Sequence, residues 1–201
     1  ASGGRDNVVE EFGPEALYET GSESLLSGNY PNAISYFQAL AARFPFSNVT
    51  RQAQLDMIYA YYKGGQFEAA IDAANEFDAE NPTHPRVDHC LYMKGLILFD
   101  KAPNWLEKLF RVDLTERPPR ETMLAFSDFQ ELIRRFPDSE YVPDARDRMI
   151  FLRNRLATYE NHVARYYIER EAFVAAINRA KYAIEHYPGA PALEESLSLL
   201  A

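Results

Sequence analysis

One phrase recurs four times along the chain, and it limits the possible fold more than any other feature. An aromatic residue, two further residues and an alanine are followed by apolar residues at helical spacing, and the phrase closes on proline. The first copy is Tyr30, Ala33, Ile34, Phe37, Leu40 and Pro45. The second is Phe67, Ala70, Ile71, Ala74, Phe77 and Pro82. The third is Ala125, Phe126, Phe129, Leu132 and Pro137, and the fourth is Phe173, Ala176, Ile177, Ala180, Ala183 and Pro188. In the first two copies Gly28 and Gly65, Ala33 and Ala70, and Pro45 and Pro82 are all 37 residues apart.

Each residue type has a physical reason. Alanines let two helices approach closely, and apolar residues three and four apart make one buried stripe. Proline lacks a donor N–H and stops the helix. Gly28 and Gly65 fall where the chain must turn between the two helices of a pair. The tetratricopeptide period is about 34 residues, so this spacing predicts helix pairs of that kind with slightly longer loops.

The first helices of the pairs are expected at about 14–27, 50–63 and 86–100, with Gly21 and Gly95 as small contact residues. Thr83-His84-Pro85 fits a helix start with proline at the first helical position. From Gly21 to Ala33 is 12 residues but from Gly95 to Ala125 is 30, so the third pair carries an 18-residue insertion within 101–119. No proline or glycine interrupts the chain from Asp144 to Glu171, which predicts an unusually long first helix in the fourth pair. The expected architecture is all-α, about ten helices in a right-handed superhelix of about five pairs, the last truncated. The repeats run over 14–46, 50–83, 86–138, 141–188 and, in part, 190–201. They form one domain, 14–201, behind a flexible tail, 1–13.

Hydrophobic residues make up 47% of the 201, enough for a core, and the net charge is -9. That acidity argues against a nucleic-acid partner, which needs a basic surface. No apolar run is long enough to span a membrane. Cys90 is the single cysteine, which excludes an intrachain disulfide and suits a small buried residue.

Catalytic signatures are missing: there is no G-x-S-x-G, phosphate-binding loop or H-E-x-x-H. His84, Asp88, His89 and Cys90 match no zinc spacing. No catalytic residue, metal site or cofactor is therefore assigned. The informative surplus is aromatic, with 13 Tyr and 13 Phe. In a stack of this type the first helix of each pair lines the inner surface. The groove positions are then Tyr18 and Ser22, Leu55, Tyr59, Tyr62 and Lys63, and Tyr92 and Phe99. Such a groove takes an aromatic-rich peptide by stacking and burial. The insertion carries Trp105, Leu106, Leu109 and Phe110, an apolar face on a short helix that folds back on its own repeat or meets a partner. The residues alone leave open a generic tetratricopeptide adaptor or periplasmic co-chaperone.

Several runs are more specific than the repeat. Phe44-Pro45-Phe46, Gln54-Leu55-Asp56, Ile58-Tyr59-Ala60-Tyr61-Tyr62-Lys63 and Asn81-Pro82-Thr83-His84-Pro85 resemble the BamD, or ComL, family. So do Tyr92-Met93, Gly95-Leu96, Phe110-x-Val112-Asp113, Ala125-Phe126-Ser127-Asp128-Phe129, Phe151-Leu152, Arg155-Leu156-Ala157, Val163-Ala164, Tyr166-Tyr167 and Val174-Ala175. The resemblance spans about 15–190. It implies a lipoprotein of the β-barrel assembly machine, on the periplasmic face of a Gram-negative outer membrane. The implied partners are the barrel subunit BamA, other lipoproteins of the machine and unfolded outer-membrane protein precursors. It implies a lipid anchor on an N-terminal Cys, the position that Ala1 takes in Ala1-Ser2-Gly3-Gly4, so the chain as given is expected to be soluble. It also implies that Asn178 and Arg179 dock on the barrel subunit, with Arg179 facing an acidic residue. Both lie off the stripe of Ala176, Ile177, Ala180 and Ala183, so Arg179 is expected in solvent and of little weight for stability.

Overall fold

The structure, a computed structural model, describes residues 12–101 and 120–201. Among them are nine α-helices and no strand. They are α1 (Pro14–Leu26), α2 (Tyr30–Arg43), α3 (Asn48–Lys63), α4 (Phe67–Glu80) and α5 (Val87–Lys101), then α6 (Arg120–Arg135), α7 (Val142–Glu169), α8 (Phe173–His186) and α9 (Leu193–Ser198). Within the first unit α1 packs on α2, α2 on α3 and α3 on α4, and within the second α6 packs on α7, α7 on α8 and α8 on α9, as expected for tetratricopeptide pairs. Contacts divide the chain into two compact units, one ending at Ile97 and the other starting at Leu98.

The repeat is visible in the backbone hydrogen bonds. Each second helix ends on an N–H four residues beyond its acceptor: Phe44 to Leu40, Asn81 to Phe77, Phe136 to Leu132 and Tyr187 to Ala183. Proline follows at once each time, at 45, 82, 137 and 188, where no further helical N–H is needed. Two more bonds then lead the chain into the next helix, through Ser47 and Thr50, His84 and Val87, Ser139 and Val142, and Ala190 and Leu193. The last link repeats the first three, so α9 opens a fifth pair. The link also moves the start of α5 to Val87, leaving Pro85 in the turn before it.

Turns within a pair share a second design. The N–H of Asn29, Gln66 and Ala172 reaches back five residues, to Ser24, Tyr61 and Tyr167. This closure needs a left-handed residue at the position before. Gly28 (φ 79°) and Gly65 (φ 77°) supply it, and in the fourth pair Glu171 (φ 58°) takes the same place.

In the first unit Leu17, Ala33, Phe37, Leu40 and Ala53 form a core. Phe12, counted with the tail in the sequence reading, is half-buried against it. Residues 1–11, Ala1 among them, lie outside the described residues, as does the insertion from 102 to 119 with Trp105, Leu106, Leu109 and Phe110. Cys90 is fully buried, and burial pushes its thiol up to about 12, so it acts as a small apolar residue.

In the second unit α7 runs for 28 residues, twice the length of α8, and both α8 and α9 pack on it. Its middle meets α8 and the loop beyond through Leu156, Ala157, Ala183, Tyr187 and Ala190. The short α9 is held by polar groups. Asn154 Oδ1 accepts from the Ala192 N–H at 2.9 Å, and Asn161 Nδ2 donates to the Ala192 carbonyl at 2.8 Å. Ser196 donates to Asn161, and Arg165 pairs with Glu195. On α8 the buried stripe is Ala176, Ala180 and Ala183; Ile177, assigned to it from sequence, is exposed together with Phe173 and Val174. Close approach to α7 selects the small residues and leaves the large ones outside.

Candidate protein-binding surfaces

The first helices of the first two pairs, α1 and α3, touch. Tyr18 of α1 donates from its hydroxyl to Asp56 Oδ2 at 2.8 Å, and Gln52 Nε2 donates to Asp56 Oδ1 at 3.1 Å. Residues 52, 56, 59 and 63 are spaced by four, three and four, which puts them on one stripe of α3. Gln52 and Asp56 are half-buried, Tyr59 is 40% exposed and Lys63 is exposed. This wall grades from a hydrogen-bonded carboxylate to an open aromatic ring and a terminal cation.

Burial pushes the Asp56 carboxyl up, against the hydrogen bonds of Tyr18 and Gln52 and the charge of Arg86. Burial, and then Asp56, push the Tyr18 phenol up. Burial thus disfavours the ionised form of Asp56 even though both of its oxygens accept hydrogen bonds. Lys63 stands in the last turn of α3, where the helix dipole favours a cation.

Other sequence-proposed groove residues fall differently. Leu55 is only 2% exposed and belongs to the core, because the face it shares turns inward one residue before Asp56. Ser22 is half-buried, one turn along α1 from Tyr18. Tyr62 is half-buried with its ring 6.2 Å from Phe67. Tyr92 is half-buried on α5. Phe99 lies in the second unit, its ring 5.5 Å from Phe151 and covered by the Arg148 guanidinium at 4.8 Å. Asp56 and Gln52 were missed as site residues, although their four-residue spacing was readable.

The second surface is on α8. Asn178 is exposed, as its place off the stripe requires. Arg179 departs from expectation. Its side chain is 43% exposed, but Nη1 lies 3.2 Å from Oε2 of Glu160, a side chain only 2% exposed. The arginine that the sequence reading put in solvent is the partner of a buried carboxylate. Glu160 carried no sequence signal, since it sits in the middle of a 28-residue helix whose rotation is fixed only by packing.

Among the described residues no group of three metal-binding side chains occurs, and no helix is long and apolar enough to cross a membrane. His84 stacks edge-on against Phe77 and accepts from the Arg86 N–H, while Asp88 accepts from the His89 N–H, so both serve the start of α5.

Comparison with known proteins agrees with the residues. A family model described as "Outer membrane lipoprotein" (YfiO) matches residues 10–201. The outer membrane protein assembly factor BamD of Neisseria gonorrhoeae is 40% identical over 193 residues, which are 96% of this chain and 72% of that protein. BamD of Vibrio cholerae is 39% identical over 96% of this chain and 80% of its own length, and BamD of Pasteurella multocida 36% over 99% and 76%. With a matching family model and such relatives along nearly its whole length, the chain belongs to the BamD family of outer membrane protein assembly factors.

Proposed function

We propose that the chain is a recognition scaffold, joining unfolded outer-membrane protein precursors to the barrel subunit BamA without making or breaking a bond. The α1–α3 wall receives an extended precursor segment. Tyr59 and Tyr62 hold an aromatic side chain, Lys63 faces a terminal carboxylate, and Asp56 with Gln52 takes a donor further along. The observation that supports this is the graded stripe on α3, apolar and cationic at one end and acidic at the other. Arg179, with Asn178 beside it, meets an acidic residue of BamA, and a lipid on an N-terminal Cys in the place of Ala1 holds the assembly to the outer membrane. Other lipoproteins of the machine join the same scaffold.

Fluorescence titration with a labelled peptide ending in an aromatic residue tests the groove. The combined change Tyr59→Ala, Tyr62→Ala and Lys63→Ala should weaken binding by about tenfold or more, since aromatic anchors dominate such interfaces. Unchanged affinity removes the site. For docking, Arg179→Glu should weaken binding to the periplasmic domains of BamA more than Arg179→Ala does, through like-charge repulsion.

A further inference from the structure

A carboxylate taken out of water needs a cation or a proton. Glu160 has a cation that is itself half in solvent. A guanidinium carries five N–H donors in a planar fork. Among the described residues Arg179 gives one of them to Glu160 and makes no other hydrogen bond. One donor of the fork is thus committed inward, and the rest of the group reaches the surface.

The charges that bear on Glu160 come from α8. Burial pushes its carboxyl up, Arg179 holds it down, and His186 adds a smaller pull in the same direction. Tyr187, which caps the end of α8, has its phenol pushed up chiefly by burial, with Tyr182 and Glu160 contributing. On α9 the acid Glu195 is engaged by Arg165, and Ser196 by Asn161. Among the described residues Arg179 is thus the main cation on Glu160, and the proposed docking surface uses it too.

We infer that Glu160 and an acidic residue of the partner share the Arg179 guanidinium, so that docking draws a solvent proton onto Glu160 and tightens as the pH falls. This rests on the docking reading given above. A second negative charge at the guanidinium makes ionised Glu160 costlier, and poor screening in a buried site enlarges the effect. A partner that raises the affinity of Glu160 for a proton is itself bound more tightly when the proton is present, because linkage is reciprocal. Glu160 is in this sense a positioning residue: it holds the fork in place and sets the pH range in which the fork is released to the partner.

Calorimetry of the full chain against the periplasmic domains of the barrel subunit tests this, in two buffers of different ionisation enthalpy and at about pH 7.5 and about pH 5.5. Wild type should take up a fraction of a proton and bind about threefold or more tighter at the lower pH. Glu160→Gln, which keeps an acceptor for Arg179, should still bind but lose most of both effects. His186→Gln should keep both. Equal proton uptake in wild type and Glu160→Gln overturns the inference, as does a loss confined to His186→Gln. If Glu160→Gln fails to fold, carbon-detected NMR on the wild-type chain decides: the Glu160 carboxyl must titrate at higher pH in the complex than free. Unchanged affinity of Arg179→Glu would instead remove the docking reading itself.

Discussion

Gly21 and Phe37 meet so closely that a Cβ on the glycine would stand 2.6 Å from Cε1 of the ring. Phe37 is fully buried, so the ring has nowhere to go. Replacing Gly21 by Ala should gain about 1 kcal/mol of helix propensity. Overpacking costs about 1–3 kcal/mol and opposes it. The expected net effect is a loss of about 1 kcal/mol, read from the denaturant midpoint. A Gly21→Ala chain more stable than wild type would show that the α1–α2 contact is looser than described.

Glu171 occupies the left-handed position that glycine fills at Gly28 and Gly65. A side chain there costs about 1 kcal/mol. Glu171→Gly should therefore stabilise by about 0.5–1 kcal/mol and raise the melting temperature by about 2–4 °C. The matching change Gly65→Ala should lower it. An unchanged or lower melting temperature for Glu171→Gly would mean that Glu171 contributes something other than its backbone.

Arg179→Ala should destabilise the free chain at neutral pH, against the expectation for a solvent-exposed arginine. The loss should be about 1–2 kcal/mol, less than the ~3–5 kcal/mol of a fully buried pair, because Arg179 is itself partly in water. The sign of the pH dependence follows from Glu160. Its carboxyl is raised above the ordinary 4.5, so its contribution to stability is fully present below that value and is lost as the pH rises through the raised one. Arg179 limits that loss. The Arg179→Ala penalty should then shrink as the pH falls and Glu160 protonates. Urea unfolding at several pH values checks this; a penalty independent of pH would show that Glu160 does not titrate in that range.

The Tyr18–Asp56 hydrogen bond joins two helices 38 residues apart in sequence. Tyr18→Phe should cost about 1 kcal/mol, with Asp56 left to Gln52. Asp56→Asn keeps an acceptor and removes a charge that burial disfavours, so it should cost less, and the difference should widen above the raised titration of Asp56. Equal losses at all pH values would show that the charge of Asp56 has no part in this contact.

The helix pairs, their register and their turns were legible in the residues alone. Those properties are local: Pro45, Pro82, Pro137 and Pro188 end helices through a missing N–H, and Gly28 and Gly65 permit one left-handed residue. The sequence also pointed to the family, through the resemblance carried by short runs such as Ile58 to Lys63. Tertiary structure decided which residue of an amphipathic helix faces what. Leu55 and Tyr59 lie one turn apart on α3, yet one is buried and the other open, and only the packing of α3 against its neighbouring helices sets that difference. On α8 the alanines turned inward and Ile177 outward because α7 comes too near for a larger side chain. Glu160 and Arg179 are 19 residues apart on two different helices, and nothing local in either helix announces the other. A buried ion pair is a property of packing: it exists only once both helices have been excluded from water against each other.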